Sequence, residues 1–526
     1  GSWRHGVGVA EGRGDYQISG ITQVAEYYSF GAAFDRDFAR RQIAILKEMG
    51  CDSIRTAHNP PAAALLDLCD EMGFMVMAES FDEWSVAKVD NGYHRFFYDW
   101  YKRDLANLVN NHKLHPSIVM WSAGNEVREL WYAPKDKNNN IGATIAQMLV
   151  GEFHRLDPSR PVTIGMNRVL LDCELGAAQV FDIAGVNYHT HQYDEAYAKT
   201  GHGLILGSET ASTVSSRGVY HFPAQLGAAI MHDDHQSSSY DTEYCWWSNI
   251  PDNDFAADED YDWCIGQFVW TGFDYLGEPS PYDTDAWPNH SSVFGIVDLA
   301  YIPKDRFYLY RSQWNKEDET LHVLPHWNWE GREGETTPVF VYTSYPSAEL
   351  FVNGVSQGIR TFAESDGSTP CLGEDAMKRF RLMWNEVTYV PGELKVVAYD
   401  HAGKPAAEKV IRTAGKAHSL KLTPDRETIK ADGEDLCFIN VSVTDKDGNP
   451  VPDDNRLVKV KVSGAGTFKA IANGDPTCLE PFQKPQMHLF SGQLTVILQS
   501  GSEPGDITVE VSGKGIKTAK TTIKSK

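Results

Sequence analysis

Between Phe34 and Trp314, short apolar runs alternate with amphipathic stretches, and this alternation limits the fold more than any other feature of the chain. Phe34, Phe38, Ile43, Ile45, Leu46 and Met49 recur at helical spacing, and Gly50 supplies the stop. Asp52-Ser-Ile-Arg55 then reads as a strand, Ala62 to Met72 as a helix ended by Gly73, and Phe74-Met-Val-Met-Ala-Glu79 as the next strand. Further helices are predicted over Arg95 to His112, Ile141 to Leu156 and Asp305 to Trp314. Further strands are predicted over 117–121, 161–165, 181–188, 204–207 and 265–270. A strand–helix repeat of about 28 residues fits a (β/α)8 barrel, which typically spans about 250 residues. A doubly wound sheet is the runner-up, lowered because no Gly-rich phosphate loop follows any strand. Residues 210–262 read as a loop-rich insert crowded with Asp and His. Residues 1–30 stay unassigned as a possible first barrel strand, with Ile21 to Phe30 fitting either a strand or a helical turn.

Two of these strands deliver the same side chain. Ser117-Ile-Val-Met-Trp-Ser-Ala-Gly-Asn-Glu126 is an apolar run that stops at small residues and presents Asn125 and Glu126 at its carboxyl end. Leu204-Ile-Leu-Gly-Ser-Glu209 repeats the pattern. In parallel α/β architectures chemistry sits at that end of the strands. Burial there raises a carboxyl pKa toward the range of a general acid. Two buried strands that each present one Glu supply the carboxyl pair required for glycosidic-bond cleavage.

Beyond Trp314 the helical stripes vanish. Residues 319–415 show short alternating runs such as Val339-Phe-Val-Tyr342 and Leu394-Lys-Val-Val-Ala-Tyr399, punctuated by Asn353-Gly354 and Pro391-Gly392. Residues 416–526 repeat the style, with Phe438 to Val443, Leu457 to Val462 and Ile507 to Val511. Both read as β-sandwiches of immunoglobulin-like kind, following a barrel at 31–318. A net charge of −24 argues against nucleic acid or anionic membrane as partner. No run approaches the roughly 20 apolar residues of a membrane span. Residues 1–30 carry no signal-peptide hydrophobic core, and Gly1-Ser2 reads as a cloning remnant. The eight cysteines form neither a disulfide framework nor a zinc knuckle, and Cys51 and Cys69 read as small buried hydrophobes.

Four motifs, in order, carry a family resemblance: Ile54-Arg55-Thr-Ala-His58-Asn59-Pro60, Trp121-Ser-Ala-Gly-Asn125-Glu126, Gly207-Ser-Glu209-Thr and Phe268-Val-Trp270. Together they resemble glycoside hydrolase family 2, specifically its β-galactosidase-like, Bacteroides-type members, over about 32–315. The resemblance implies a retaining exo-β-glycosidase, most readily a β-galactosidase, that needs no cofactor and is periplasmic or secreted in a bacterium. By it, Glu126 is the general acid/base, Glu209 the nucleophile, and Asn125 a donor to the sugar 2-hydroxyl. Family members normally carry a jelly-roll and an immunoglobulin-like domain ahead of the barrel, for which this sequence has no room. Arg4-His5 is a poor substitute for the usual first-strand motif. The Asn-x-Lys motif of the glucuronidase branch is not seen after Trp270, which favours galactoside over glucuronide. The rival readings are a catalytically impaired carbohydrate-binding or scaffold protein, a β-glucuronidase-type hydrolase and a metal-dependent barrel hydrolase.

Around the pair, Arg55 is the expected partner of Glu209, and Tyr188 a second donor to it. Arg55, His58 and Tyr188 are also candidates for binding the substrate, and Trp270 is expected as a stacking platform for a sugar face. Glu79 and Asp82 are candidates for orienting Arg55 or the acid, and Asp274 and Glu278 for binding sugar hydroxyls. His189-Thr-His191 and His232-Asp-Asp-His235 invite a metal reading. No further ligand is spaced to complete such a site, so no metal is expected. Tyr240, Tyr244, Trp246, Trp247, Asp252 and Asp254 are expected to wall the pocket on its leaving-group side.

Overall fold

The computed structural model describes residues 17–24, 34–130, 140–201 and 203–526. Eight parallel strands close into a barrel: β1 (Ile18–Val24), β2 (Ser53–Ala57), β3 (Met75–Glu79), β4 (Ile118–Asn125), β5 (Val162–Met166), β6 (Ala184–Asn187), β7 (Ile205–Ala211) and β8 (Cys264–Trp270). The first strand therefore lies within residues 1–30. It pairs Ile18 with Gly266 of β8 on one side and Ile21 with Ile54 of β2 on the other, which closes the ring. Gly20 interrupts its apolar pattern because the Phe268 ring fills the space: a Cβ at Gly20 would sit 2.4 Å from Phe268 Cδ1. Arg4-His5 and residues 25–30 lie outside the described residues.

Side chains alternate along each strand. Ile18, Met77, Met120, Leu206 and Phe268 pack together, one from each of five strands, while their outward neighbours Ile21, Ile54, Val76, Trp121, Ile205 and Val269 pack into the main hydrophobic core. Helices α1 (Arg36–Met49), α2 (Ala63–Met72), α3 (Phe97–His112), α4 (Ile141–Leu156), α5 (Val169–Glu174), α6 (Tyr193–Thr200), α7 (Pro251–Asp260) and α8 (Asp305–Trp314) accompany the strands. Asp35 caps α1, accepting from the Asp37 and Phe38 N–H groups, and Gly50 ends it in the left-handed region. The insert read as loop holds α7, opened by Pro251 at its first turn. Its acidic residues conceal it: Asp252 and Asp254 are buried and bonded instead of solvated.

Two β-rich units follow. The first is a three-stranded sheet (Leu321–Leu324, Val339–Thr343, Leu382–Trp384) and a four-stranded sheet (Ser347–Val352, Val355–Thr361, Glu393–Tyr399, Pro405–Arg412) sharing a core of Trp327, Val341, Leu350, Trp384 and Val396. The second has a four-stranded and a five-stranded sheet around Ile439, Val441, Val458, Val496 and Val509. Both dock on the barrel. Arg381 of the first is buried against Asp252 of α7, its Nε donating at 2.9 Å, and also donates to the Tyr240 and Asp241 carbonyls. From the second, Phe438 packs edge-on to Phe38 of α1, and Thr495 donates to the Ala300 carbonyl.

Candidate active site

The carboxyl ends of the strands open into a cleft of about 1640 Å³. Glu126 stands at the end of β4 and Glu209 within β7, and both line it. Arg55, projecting from β2 and fully buried, organises the floor. Its Nη1 donates to Glu209 Oε1 at 2.7 Å and to the Ser208 carbonyl. Its Nε and Nη2 meet the Glu79 carboxylate at 3.0 and 3.1 Å, and Nη2 also donates to Asn125 Oδ1 at 2.8 Å. Burial alone would lower the Arg55 pKa, but Glu79 and Glu209 outweigh it and raise it above the ordinary arginine value. For Glu79, burial pushes upward, yet Arg55, His58 and Ser122 hold the carboxyl below its ordinary range.

The two glutamates have unlike surroundings. Glu209 accepts on both oxygens, from Arg55 and, at 2.7 Å, from the Tyr188 hydroxyl. That hydroxyl accepts in turn from Ser212 at 3.1 Å. Among the described residues Glu126 receives only amide donors, Asn187 at 2.9 Å and Asn167 at 3.3 Å. Burial, and then the charge of Glu209, push the Glu126 pKa up to about 7. The same causes raise Tyr188 well above a normal phenol, which keeps its proton available to Glu209. Glu126 and Tyr188 both adopt left-handed backbone, φ +44° and +64°. For residues other than Gly this costs of order 1–3 kcal/mol each. The Glu126 N–H to Gly165 carbonyl bond and the Tyr188 N–H to Glu209 carbonyl bond hold them there.

Amide orientation follows from the same network. Asn187 Oδ1 accepts from Ser208 at 2.6 Å, so its Nδ2 is the atom facing Asn125 Oδ1 and Glu126. Asn125 Oδ1 is taken by Arg55 and Asn187, which turns its Nδ2 toward His58. This crowding requires Gly165: a Cβ there would lie 2.6 Å from Asn125 Oδ1 and 3.2 Å from Arg55 Nη2.

Of the residues expected from sequence, Arg55, Glu79, Asn125, Glu126, Tyr188 and Glu209 meet in one bonded network. His58 joins it through a 2.6 Å contact to Glu79. Trp270 lines the cleft, but one of its faces is stacked on the His58 ring, 5.4 Å centroid to centroid and 5° from parallel. Asp82 turns to Lys88 at 2.8 Å, and Lys88 reaches the Asn125 carbonyl. Asp274 requires correction. It is not a lining residue of the cleft; its carboxylate is bound by Lys304 at 2.8 Å and by the Gly295 N–H, because two residues distant in sequence capture it. Glu278 does line the cleft, bonded to the Tyr275 hydroxyl.

His189 and His191 also line the cleft. His232 and His235 diverge, His232 to Glu243 at 2.8 Å and His235 toward the Asp285 carbonyl. His221 stacks flat on His232, 3.5 Å centroid to centroid, and together with Glu243 they bring one ligand atom each within 4.8 Å of one another. Asn167, Asn187 and Lys88 were not singled out as site residues. The available signal was position, since Asn167 and Asn187 close two strands on the side where Glu126 emerges.

Fold and site together define a (β/α)8-barrel protein with two unlike carboxyl groups at the strand ends. Residues 15–283 match the TIM barrel domain of glycosyl hydrolases family 2, residues 420–522 match glycoside hydrolase family 2 C-terminal domain 5, and residues 334–407 match a domain of unknown function. The chain belongs to glycoside hydrolase family 2. It is 36% identical to beta-galactosidase BoGH2A of Bacteroides ovatus over 96% of this chain and 60% of that protein. It is 25% identical to a beta-glucuronidase of Bacteroides fragilis over 75% of this chain and 53% of that protein. The solved structure of a beta-glycosidase from Bacteroides vulgatus superposes with a TM-score of 0.82 at 30% identity, covering 97% of this chain and 64% of that one. The chain thus spans between about half and two thirds of the length of these relatives.

Proposed function

We propose that the chain is a retaining exo-β-glycosidase whose preferred glycone is β-galactose, acting without cofactor. The observation that carries the reading is the contrast between Glu209, which accepts hydrogen bonds on both oxygens from Arg55 and Tyr188, and Glu126, whose carboxyl keeps its proton up to about pH 7. A Glu209 oxygen attacks the anomeric carbon while Glu126 gives its proton to the departing glycosidic oxygen, so one carbon–oxygen bond forms as another breaks. Glu126, now ionised, takes a proton from water. The water oxygen displaces Glu209 and returns the anomeric carbon to its original configuration. Asn125 Nδ2, whose one acceptor among the described residues is the long contact to His58, is free to donate to a sugar hydroxyl. The galactoside preference draws on the higher identity to the protein named a beta-galactosidase than to the named beta-glucuronidase. It also draws on Lys304, the first Lys or Arg after Trp270, being locked to Asp274.

A panel of nitrophenyl glycosides, galactoside, glucoside and glucuronide among them, tests the substrate. Proton NMR of the first-formed sugar tests the stereochemistry. Galactoside hydrolysis that releases the β-anomer first is expected. Release of the α-anomer, or turnover confined to the glucuronide, contradicts the reading.

A further inference from the structure

His221, His232 and Glu243 belong to three separate passes of the insert, and the fold gathers their side chains into one cluster. His232, read from the sequence beside His235, thus finds its neighbours elsewhere. Its Nε2 faces both oxygens of Glu243, at 2.8 and 3.1 Å. On the other ring, His221 Nε2 meets the Asp234 carboxylate at 2.8 Å. The tautomer that donates there leaves Nδ1 as the lone pair, and this atom is buried with no hydrogen-bond partner among the described residues. A histidine with one nitrogen held by a carboxylate and the other open is oriented as a metal ligand is.

The distances fit an ion of zinc's size. Tetrahedral zinc, with bonds of about 2.0–2.1 Å, separates its ligand atoms by about 3.3 Å. A slight widening of the His232–Glu243 contact therefore admits the ion in place of the shared proton. The stacked rings must also open from parallel to point at one ion, a rotation about His χ2, which is a broad torsion. The two imidazoles are 18% and 16% exposed and Glu243 3%, so the cluster is nearly enclosed yet open to an entering ion. A second group of similar composition, Asp67, Asp70 and His115, is built differently. Asp70 is taken by His115 and the Ser117 N–H, and Asp67 is exposed to solvent.

We propose that His221, His232 and Glu243 bind one zinc ion, with a water as fourth ligand and Asp234 orienting His221. Two imidazoles and a carboxylate suit zinc, whereas magnesium and calcium take oxygen ligands. The role of the ion is structural. Glu243–Tyr244 pairs in parallel with Gly227–Ala228, and Leu226 and Tyr244 line the cleft together with Leu372 of the first β-rich unit. Cross-linking the insert at 221, 232 and 243 fixes this wall of the cleft. The proposal stands apart from the catalytic reading of Glu126 and Glu209.

The test is calorimetric titration of the chelator-treated, dialysed chain with zinc chloride, in the wild type, His221→Gln, His232→Gln, Asp234→Asn and His115→Ala. The wild type and His115→Ala are expected to bind one zinc per chain equally well. Asp234→Asn should bind it about 10–100-fold more weakly, and the two glutamine variants about 100-fold or more. No saturable binding in the wild type overturns the proposal, as does binding lost in His115→Ala or undiminished in both glutamine variants. Amide hydrogen exchange of the wild type, with and without zinc chloride, keeps the test independent of how the variants fold. Zinc should slow exchange within residues 221–244; protection confined to another segment, or none, overturns the proposal.

Discussion

Glu126 and Glu209 carry the same functional group, and what separates them is what surrounds each. Glu126 has amide donors, burial and a neighbouring negative charge, which bring its pKa to about 7. A general acid works only while protonated, so kcat/KM for a substrate with a poor leaving group should fall about tenfold per pH unit above about pH 7. A dinitrophenyl leaving group departs without a proton, and that basic limb should then disappear from its pH–rate profile. A limb centred near pH 5 for both substrates would contradict the role of Glu126. Arg55 holds two buried carboxylates at once. Arg55→Lys loses the forked geometry and should lower kcat by about 100-fold or more, with about 3 kcal/mol of stability lost as Glu79 is left poorly paired, read by steady-state kinetics and urea denaturation. The two glutamates, Arg55 and Tyr188 were legible because each closes or projects from a recognisable strand. Asp274 was misplaced for the opposite reason: its partner Lys304 lies 30 positions on, and no local spacing reveals that contact.

At the scale of elements, the barrel strands were legible because residues buried on both faces form unbroken apolar runs. β1 was not, since Gly20 makes room for Phe268 and breaks the run. Helix α7 shows why a charged segment resists reading. Asp254 accepts from Thr190 at 2.8 Å and from Asn249, and burial pushes its pKa up to about 8; Asp258, beside Gln267, is pushed up to about 7. Both are protonated in the folded chain and ionised in the unfolded one between about pH 4 and their folded values. The folded state binds more protons there, so stability falls as pH rises through that window, by at most about 1.4 kcal/mol per unit for each group. Asp254→Asn keeps an acceptor for Thr190 and cannot ionise. Its melting temperature should decline less between pH 5 and 8 than that of the wild type, as read by calorimetry; a parallel decline would contradict the assignment.

Across the whole molecule, the first β-rich unit is bound to the barrel through buried charge and shapes the rim of the cleft. Arg381 and Asp252, both fully buried and 129 positions apart, form the central pair. Breaking it with Arg381→Met should cost about 3–5 kcal/mol by leaving Asp252 unpaired, whereas adding Asp252→Leu should recover most of that loss. Denaturation of the four chains of this cycle checks it. The β-rich units were legible from their alternating strands and turns, but their docking was not, because pairings of this range leave no trace in local periodicity. The proposed double displacement requires Glu209 to take the sugar covalently, and this is open to one direct measurement: intact and peptide mass spectrometry after incubation with a 2-deoxy-2-fluoro-β-galactoside bearing an activated leaving group. One fluorogalactosyl unit per chain is expected, attached to Glu209 and absent in Glu209→Gln. A label on any other residue, or no label in a chain that hydrolyses galactosides, would contradict it.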